Sequence, residues 1–311
     1  NGGFALYPNS LENYRYSAVT HLVIAPLIVL GGIGFPVLNN FWSIIASRIR
    51  RLKRRPARFK GEHHEPLPAS RLSLHTKIVL TTSAVLYLYG TVAIFASLMM
   101  PYISDAAGQN VTANRVAPPP MSVARLGGMI ADASFLSITA RTTGYNAMPM
   151  ESVGPAGHVT LMTLMVAGGA PGSTAGGIKV TTLALIILSV WATVRQRDET
   201  QAFGRRIYDS FVRKATALAA ALGLLISIST ILLTMTEPFP FIKILFETVS
   251  AATTTGLSLG ITADLSTFGK AVILITMFLG RVGPLALLGA LVFHGHRGRP
   301  YRLPHEDVMI G

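Results

Sequence analysis

Five apolar stretches, at 18–47, 77–101, 157–194, 215–235 and 267–293, take up most of the chain. Each reaches the roughly 20 residues that a helix needs to cross a bilayer. Half of the 311 residues are hydrophobic and only 13% are charged, which is too apolar for a soluble protein of this size. The expected fold class is therefore all-α integral membrane, with several crossings. Cysteine is absent, which excludes a disulfide scaffold and a thiolate metal site.

The basic residues arrange the crossings. They cluster in 48–60 (RIRRLKRRPARFK), in 195–214 with Arg197, Arg205, Arg206 and Arg213, and in the tail with Arg297, Arg299 and Arg302. Short basic loops stay in the cytoplasm, so all three segments share one side and an even number of crossings separates each from the next. The pieces between paired crossings, 131–141 and 239–255, must then enter and leave on the outer side. The same placement accounts for the net charge of +13. With no recognition motif and no basic–aromatic interleaving, nucleic-acid binding is set aside.

Those two outer pieces run into two segments that repeat one pattern about 110 residues apart, 137–146 (SITARTTGYN) and 249–258 (VSAATTTGLS). In each, a run of small hydroxyl and alanine residues ends in Thr-Gly and then a larger residue: Thr142, Thr143, Gly144 and Tyr145 in the first, Thr254, Thr255, Gly256 and Leu257 in the second. Threonine hydroxyls and the carbonyls that glycine leaves free to turn are hard oxygen ligands, suited to small dehydrated cations. Irregular backbone at membrane depth is tolerated only where protein or water satisfies it, as in a pore. A single Thr-Gly also ends ordinary helices. Two copies in equivalent places, with a similar glycine at Gly3 ahead of another apolar stretch, favour the pore.

A second constellation is 167–179 (AGGAPGSTAGGIK), with Gly168, Gly169, Gly172, Ser173, Thr174, Gly176, Gly177 and Lys179 inside an apolar stretch. At about 1 kcal/mol per glycine and about 3 for proline, a continuous helix is expected to break there. It is no phosphate loop, because Ile178 stands between Gly177 and Lys179 where a Gly-Lys pair is required. A kink used only for packing is the alternative. Arg281, within FLGRVGPLALL, is costly at the bilayer centre by about 2.5 kcal/mol or more, so it faces a water-filled path or pairs with a buried acid such as Glu247. Glu247 and Asp132 either lend negative potential to the outer mouth or brace the filter by hydrogen bonds. The run Gly31-Gly32-Ile33-Gly34 has no dinucleotide-binding unit around it and reads as close helix packing. Residues 101–125, with Asn110-Val111-Thr112, read as an external connector. His63 and His64 read as surface residues of a solvated linker rather than metal ligands.

Residues 135–146 and 247–258 resemble the third and fourth selectivity-filter loops of the TrkH/KtrB/HKT superfamily of potassium transporters, and residues 1–4 resemble the end of the second. The resemblance covers essentially the whole chain. It implies repeated helix–pore helix–filter–helix units around a pseudo-fourfold pore, with Gly3, Gly144 and Gly256 as filter glycines and potassium bound at filter backbone oxygens. Residues 167–179 resemble the intramembrane gating loop of that family, and Arg281 matches its arginine below the filter, whose charge would raise the barrier for cations. On this reading 1–47 is the end of the second filter and the helix after it, and 48–76 is a basic cytoplasmic linker. The third unit is 77–194 with a broken last helix, 195–214 is a basic cytoplasmic loop, 215–293 is the fourth unit and 294–311 is a cytoplasmic tail. The chain starts at Asn1 in a glycine-rich stretch and reads as the middle of a longer protein whose first unit lies outside it. Two full units and a remnant are expected not to close a pore by themselves.

The expected function is uptake of potassium, with sodium as a second cation, and no enzymatic chemistry or covalent cofactor. The resemblance also implies a multi-pass protein of the bacterial inner membrane that forms a homodimer and binds a cytosolic nucleotide-binding regulatory subunit. The basic loops suit that subunit or anionic membrane lipid. An ion-coupled secondary transporter of another solute is the alternative, since such proteins also break helices at glycine near the midplane. A membrane-embedded enzyme using Glu247, Asp132 and the histidines would need those groups at one depth, whereas the histidines fall mostly at the ends of stretches or in loops.

Overall fold

The structure is a computed structural model and describes residues 2–3, 5, 7, 9–53, 72–106, 122–197 and 199–283. Among the described residues two helices are long and apolar enough to cross a membrane, besides one bent pair that passes the same test together. The two are α3 (Leu74–Ala106) and α7 (Asp209–Thr236), whose apolar spans have mean hydropathies of 1.9 and 2.2. At 1.5 Å per residue, the 28 residues of α7 extend about 42 Å, more than the roughly 30 Å of hydrocarbon. Each is followed by a shorter helix that cannot span: α4 (Val123–Thr139) after α3 and α8 (Phe241–Thr253) after α7. Ser122 caps α4, its hydroxyl accepting from the Arg125 amide at 3.2 Å. Helix α8 is buried continuously from Phe246 to Thr253.

After α4 the chain turns into α5 (Gly154–Val166) and α6 (Val180–Val194), and after α8 into α9 (Thr267–Val282). Helix α4 packs on α3 and α5, and α8 packs on α5, α7 and α9. The main core joins Ile94 of α3, Leu136 of α4, Leu164 and Met165 of α5, and Phe246 of α8. Lipid tails are as apolar as leucine, so close packing and interhelical hydrogen bonds carry much of the association here. Ser229 of α7 shares a hydrogen bond with Thr276 of α9 at 2.7 Å, and Thr230 shares one with Thr248 of α8 at 2.8 Å.

Four details differ from the sequence reading. The 18–47 stretch is not one straight crossing: a π turn at Thr20–Ile24 leads into α1 (Ala25–Ile33), and α2 (Phe35–Lys53) leaves at 96°. The hinge is Gly34 at φ +85°, a conformation that a side chain would strain. Gly34 therefore breaks the helix, and the bend receives the 167–179 loop: the Ala170 amide donates to the Gly32 carbonyl at 2.9 Å, and the Phe35 amide to that of Gly172 at 3.1 Å. Second, residues 48–53 continue α2 rather than starting a linker, since Arg and Lys are good helix formers. Third, the 195–214 segment holds a short hairpin, β1 (Gln201–Ala202) with β2 (Arg205–Arg206), and α7 already begins at Asp209. Fourth, the external connector is shorter than 101–125, because α3 runs to Ala106 and α4 starts at Val123. Asn110-Val111-Thr112, His63, His64, Arg297, Arg299, Arg302 and the end of the last apolar stretch lie outside the described residues.

Candidate functional site

Both Thr-Gly segments leave the C-terminal ends of the short helices. Helix α4 ends at Thr139, and the amides of Thr143 and Gly144 still donate to its carbonyl at 3.0 and 3.3 Å. At the end of α8, the Thr255 amide donates to the Ser250 carbonyl at 2.9 Å and the Gly256 amide to the Ser250 hydroxyl at 3.1 Å. Thr142 and Thr254 stand at φ +72° and +53°, and Gly144 and Gly256 follow at +89° and +95°. Two left-handed residues, one of them a threonine, reverse the chain just beyond each helix. Such a conformation costs a threonine about 1–2 kcal/mol, and backbone strain of this kind concentrates at functional sites.

The three glycines lie side by side. The Gly3 amide donates to the Thr143 carbonyl at 2.7 Å. A Cβ on Gly144 would overlap the Thr255 carbonyl and stand 3.1 Å from the Cα of Gly256. Each threonine carbonyl is thus set against the glycine of the preceding segment. The hydroxyls of Thr142 and Thr143 are buried and have no hydrogen-bond partner among the described residues, whereas that of Thr255 pairs with Thr253 at 2.9 Å. Orphaned buried hydroxyls fit a hard cation bound by oxygen. Tyr145 and Leu257 contribute backbone only: the Tyr145 ring packs beside Ala25 and Phe135, and the Leu257 side chain is buried in the main core.

Above the glycines opens a cavity of about 570 Å³, lined by Gly3, Gly144, Gly256, Ser258 and two acids, Glu12 and Glu151. Asn146 ties this mouth together, its amide nitrogen donating to Glu12 Oε1 at 3.1 Å. Neither acid was picked out from the sequence. Glu12 sits in a short 3-10 turn at Glu12–Tyr14, and no spacing marks it as close to 146. Asp132 and Glu247 are both buried and hydrogen-bonded within the protein. Asp132 is fully buried and receives Arg15, Nε to Oδ1 at 2.9 Å and Nη2 to Oδ2 at 2.5 Å. Glu247 accepts from the hydroxyls of Ser258 at 2.8 Å and Thr262 at 2.5 Å. Arg15 is a third residue that sequence reasoning missed.

Beneath the glycines runs the 167–179 loop. A parallel bridge, Ala167 to Ile178, closes it, with the Gly168 amide donating to the Ile178 carbonyl at 2.9 Å. The backbone of Gly176 abuts Thr253 and Thr254, Gly168 faces the Gly176 carbonyl, and Gly169 packs on Ala175 and Ser173. Gly172 and Gly177 turn the loop at φ +73° and +64°. The Thr174 hydroxyl donates to the Gly31 carbonyl at 3.5 Å, and the Lys179 amine to that of Ala175 at 2.6 Å. Arg281 reaches the Thr254 hydroxyl from α9 at 3.5 Å, and it does not pair with Glu247. Lys179 and Arg281 are neighbours, so two positive side chains stand on the loop side of the Thr254 turn.

The profile of the TrkH family, described as cation transport protein, matches residues 1–293. The chain is 32% identical over its whole length to the Ktr system potassium uptake protein B of Vibrio alginolyticus, of which it covers 60%. It is 30% identical to the potassium/sodium uptake protein NtpJ of Enterococcus hirae, again over all of this chain and 61% of that protein. The chain thus spans about three fifths of the length of these relatives. The crystal structure of the potassium transporter TrkH from Vibrio parahaemolyticus superposes with a TM-score of 0.64 at 16% identity, covering 94% of this chain and 55% of that one. At that identity the likeness shows the fold, an all-α membrane architecture. A family profile over nearly the entire sequence, on a chain whose two Thr-Gly turns meet above an intramembrane loop, establishes that this chain belongs to the TrkH family of cation transport proteins, a transporter family rather than an enzyme family.

Proposed function

We propose that this chain contributes the larger part of a pore that takes up potassium, with sodium as a second cation, across the bacterial inner membrane. The observation that carries the reading is the row of Gly3, Gly144 and Gly256, flanked by the buried, unpartnered hydroxyls of Thr142 and Thr143. Backbone and hydroxyl oxygens there replace water around a small cation without any charged side chain, which suits binding that is strong enough to select and weak enough to release. Thr142, Thr143, Gly144, Tyr145, Thr254, Thr255, Gly256, Leu257 and Gly3 form the filter. Glu12 and Glu151 concentrate cations at its mouth. Residues 168–179 form the gate, and Lys179 and Arg281 set an electrostatic barrier beneath it.

In this proposal the units are 77–194 and 215–293, the 1–47 segment completes a further one, and the assembled protein is a homodimer regulated by a cytosolic nucleotide-binding subunit. The names of the relatives support the uptake role, and the contact of Gly176 with Thr253 and Thr254 supports the gate. The test is growth of a potassium-uptake-deficient bacterium on limiting potassium, expressing the complete parent gene with or without Gly144→Ser and Gly256→Ser. Rescue by the wild type that well-expressed glycine variants lose is expected. No rescue by a well-expressed parent with its regulatory partner present would instead favour a coupled transporter of another solute.

A further inference from the structure

At the basic end of α3 and α6 a groove of about 470 Å³ opens between the two helices and the hairpin. Its walls are mostly apolar: Ile78 and Val85 from α3, Ile187 and Leu188 from α6, with Thr81 and Thr82 between them on α3. Its rim is aromatic and basic. Trp191 and Phe203 are both more than half exposed there, and Arg197 lines the opening. The guanidinium of Arg195 lies over the Trp191 ring at 4.6 Å, and the Lys77 amine over the Phe203 ring at 5.7 Å. These cations are held against aromatic faces rather than by carboxylates. The acid on the hairpin, Glu199, is taken by Arg206 at 2.6 Å, and among the described residues Lys77, Arg195 and Arg197 form no ion pair. Arg197 at the mouth of the slot, with Lys77 and Arg195 stacked on its rim aromatics, gives three cations without counter-ions among the described residues. They match a ligand that is an anion on top of a hydrocarbon chain.

We infer that this groove is a binding site for an anionic phospholipid of the cytoplasmic leaflet, with one acyl chain between α3 and α6 and the phosphate held by Lys77, Arg195 and Arg197. The segment lies on the basic, cytoplasmic side, where the leaflet surface is negative, so the charges are complementary. The site lies apart from the filter and does not depend on which ion the protein carries. It does give α6, the helix that leaves the 167–179 loop, a lipid contact at its far end.

The test uses the full-length protein reconstituted in phosphatidylcholine vesicles that contain increasing fractions of brominated phosphatidylglycerol or brominated phosphatidylcholine. The Trp191 signal is isolated by subtracting that of Trp191→Phe. Half-maximal quenching is expected at a mole fraction roughly tenfold lower for the anionic lipid, and Lys77→Gln/Arg197→Gln is expected to equalise the two lipids without abolishing quenching. Equal quenching in the wild type overturns the inference, as does a preference that survives the double substitution. No quenching at all would also overturn it, because a protein surface would then cover Trp191.

Discussion

Gly176 of the intramembrane loop sits so close under Thr254 that a methyl group on it would overlap the Thr254 hydroxyl and the Thr253 carbonyl. The loop and the Thr-Gly turn are therefore in contact at one backbone carbonyl and one short threonine side chain, with no long side chain between them to move aside.

Gly176→Ala is expected to push the loop out from beneath the filter. A penalty of about 1–2 kcal/mol on the closed arrangement changes a two-state ratio about 5- to 30-fold. Potassium flux through the full-length protein without its regulatory subunit should rise by that order. Gly223→Ala, on an exposed face of α7 with open space around it, is the control and should leave flux unchanged. Wild-type flux in Gly176→Ala would remove the loop from the role of barrier.

The two filter glycines should not be equally sensitive. Alanine at Gly144 meets both an unfavourable φ and the Thr255 carbonyl, whereas alanine at Gly256 meets only a Cα at 3.7 Å and the same φ penalty. Uptake by well-expressed Gly144→Ala is expected to fall at least about tenfold below that of Gly256→Ala, since each further 1.4 kcal/mol is a factor of ten. Equal losses would mean that conformation alone matters at both positions.

Arg15 and Asp132 differ in exposure, with Arg15 about a third exposed at 31% and Asp132 at 0%. Removing Arg15 strands a buried carboxylate, while Asp132→Asn leaves an arginine that can turn to water. Arg15→Ala is therefore expected to be the more destabilising, near the lower end of the 3–5 kcal/mol typical of broken buried pairs, about 3 kcal/mol, because of that partial exposure. Thermal unfolding of the solubilised full-length protein measures the order, and a double-substitution cycle measures the coupling. Asp132→Asn as the costlier change would contradict the brace.

Arg281→Gln removes one of the two cations beneath the filter and leaves the Thr254 hydroxyl in place. Maximal potassium uptake is expected to rise severalfold, with Lys179→Gln in the same direction. A fall in uptake by stable, well-expressed Arg281→Gln would make the arginine a support of the filter rather than a barrier.

The two Thr-Gly turns were legible in the sequence because their geometry is local. Thr-Gly after a short run of small residues carries its backbone geometry with it, and the pattern's recurrence at 249–258 supplied the second copy. The break at 167–179 was legible for the same reason, since glycine and proline act on the helix that contains them. Gly34 was misread because the apolar run continues on both sides of it, and hydropathy carries no information about direction. Arg15 could not be found, because its partner is 117 residues away and becomes adjacent only when the segment ahead of α1 packs on α4. The hairpin carried a local signal in Phe203-Gly204, with Gly204 at φ +73°, hidden inside a segment read for its charge alone.

The most direct measurement is uptake of radioactive rubidium, a potassium surrogate, into proteoliposomes that contain the full-length protein, wild type beside Gly144→Ala. Uptake driven by an imposed potential in the wild type, inhibited by external potassium and lost in the glycine variant at equal protein incorporation, is the predicted result. Uptake that is absent from the wild type, or unchanged by Gly144→Ala, would contradict an ion path through the Thr-Gly turns.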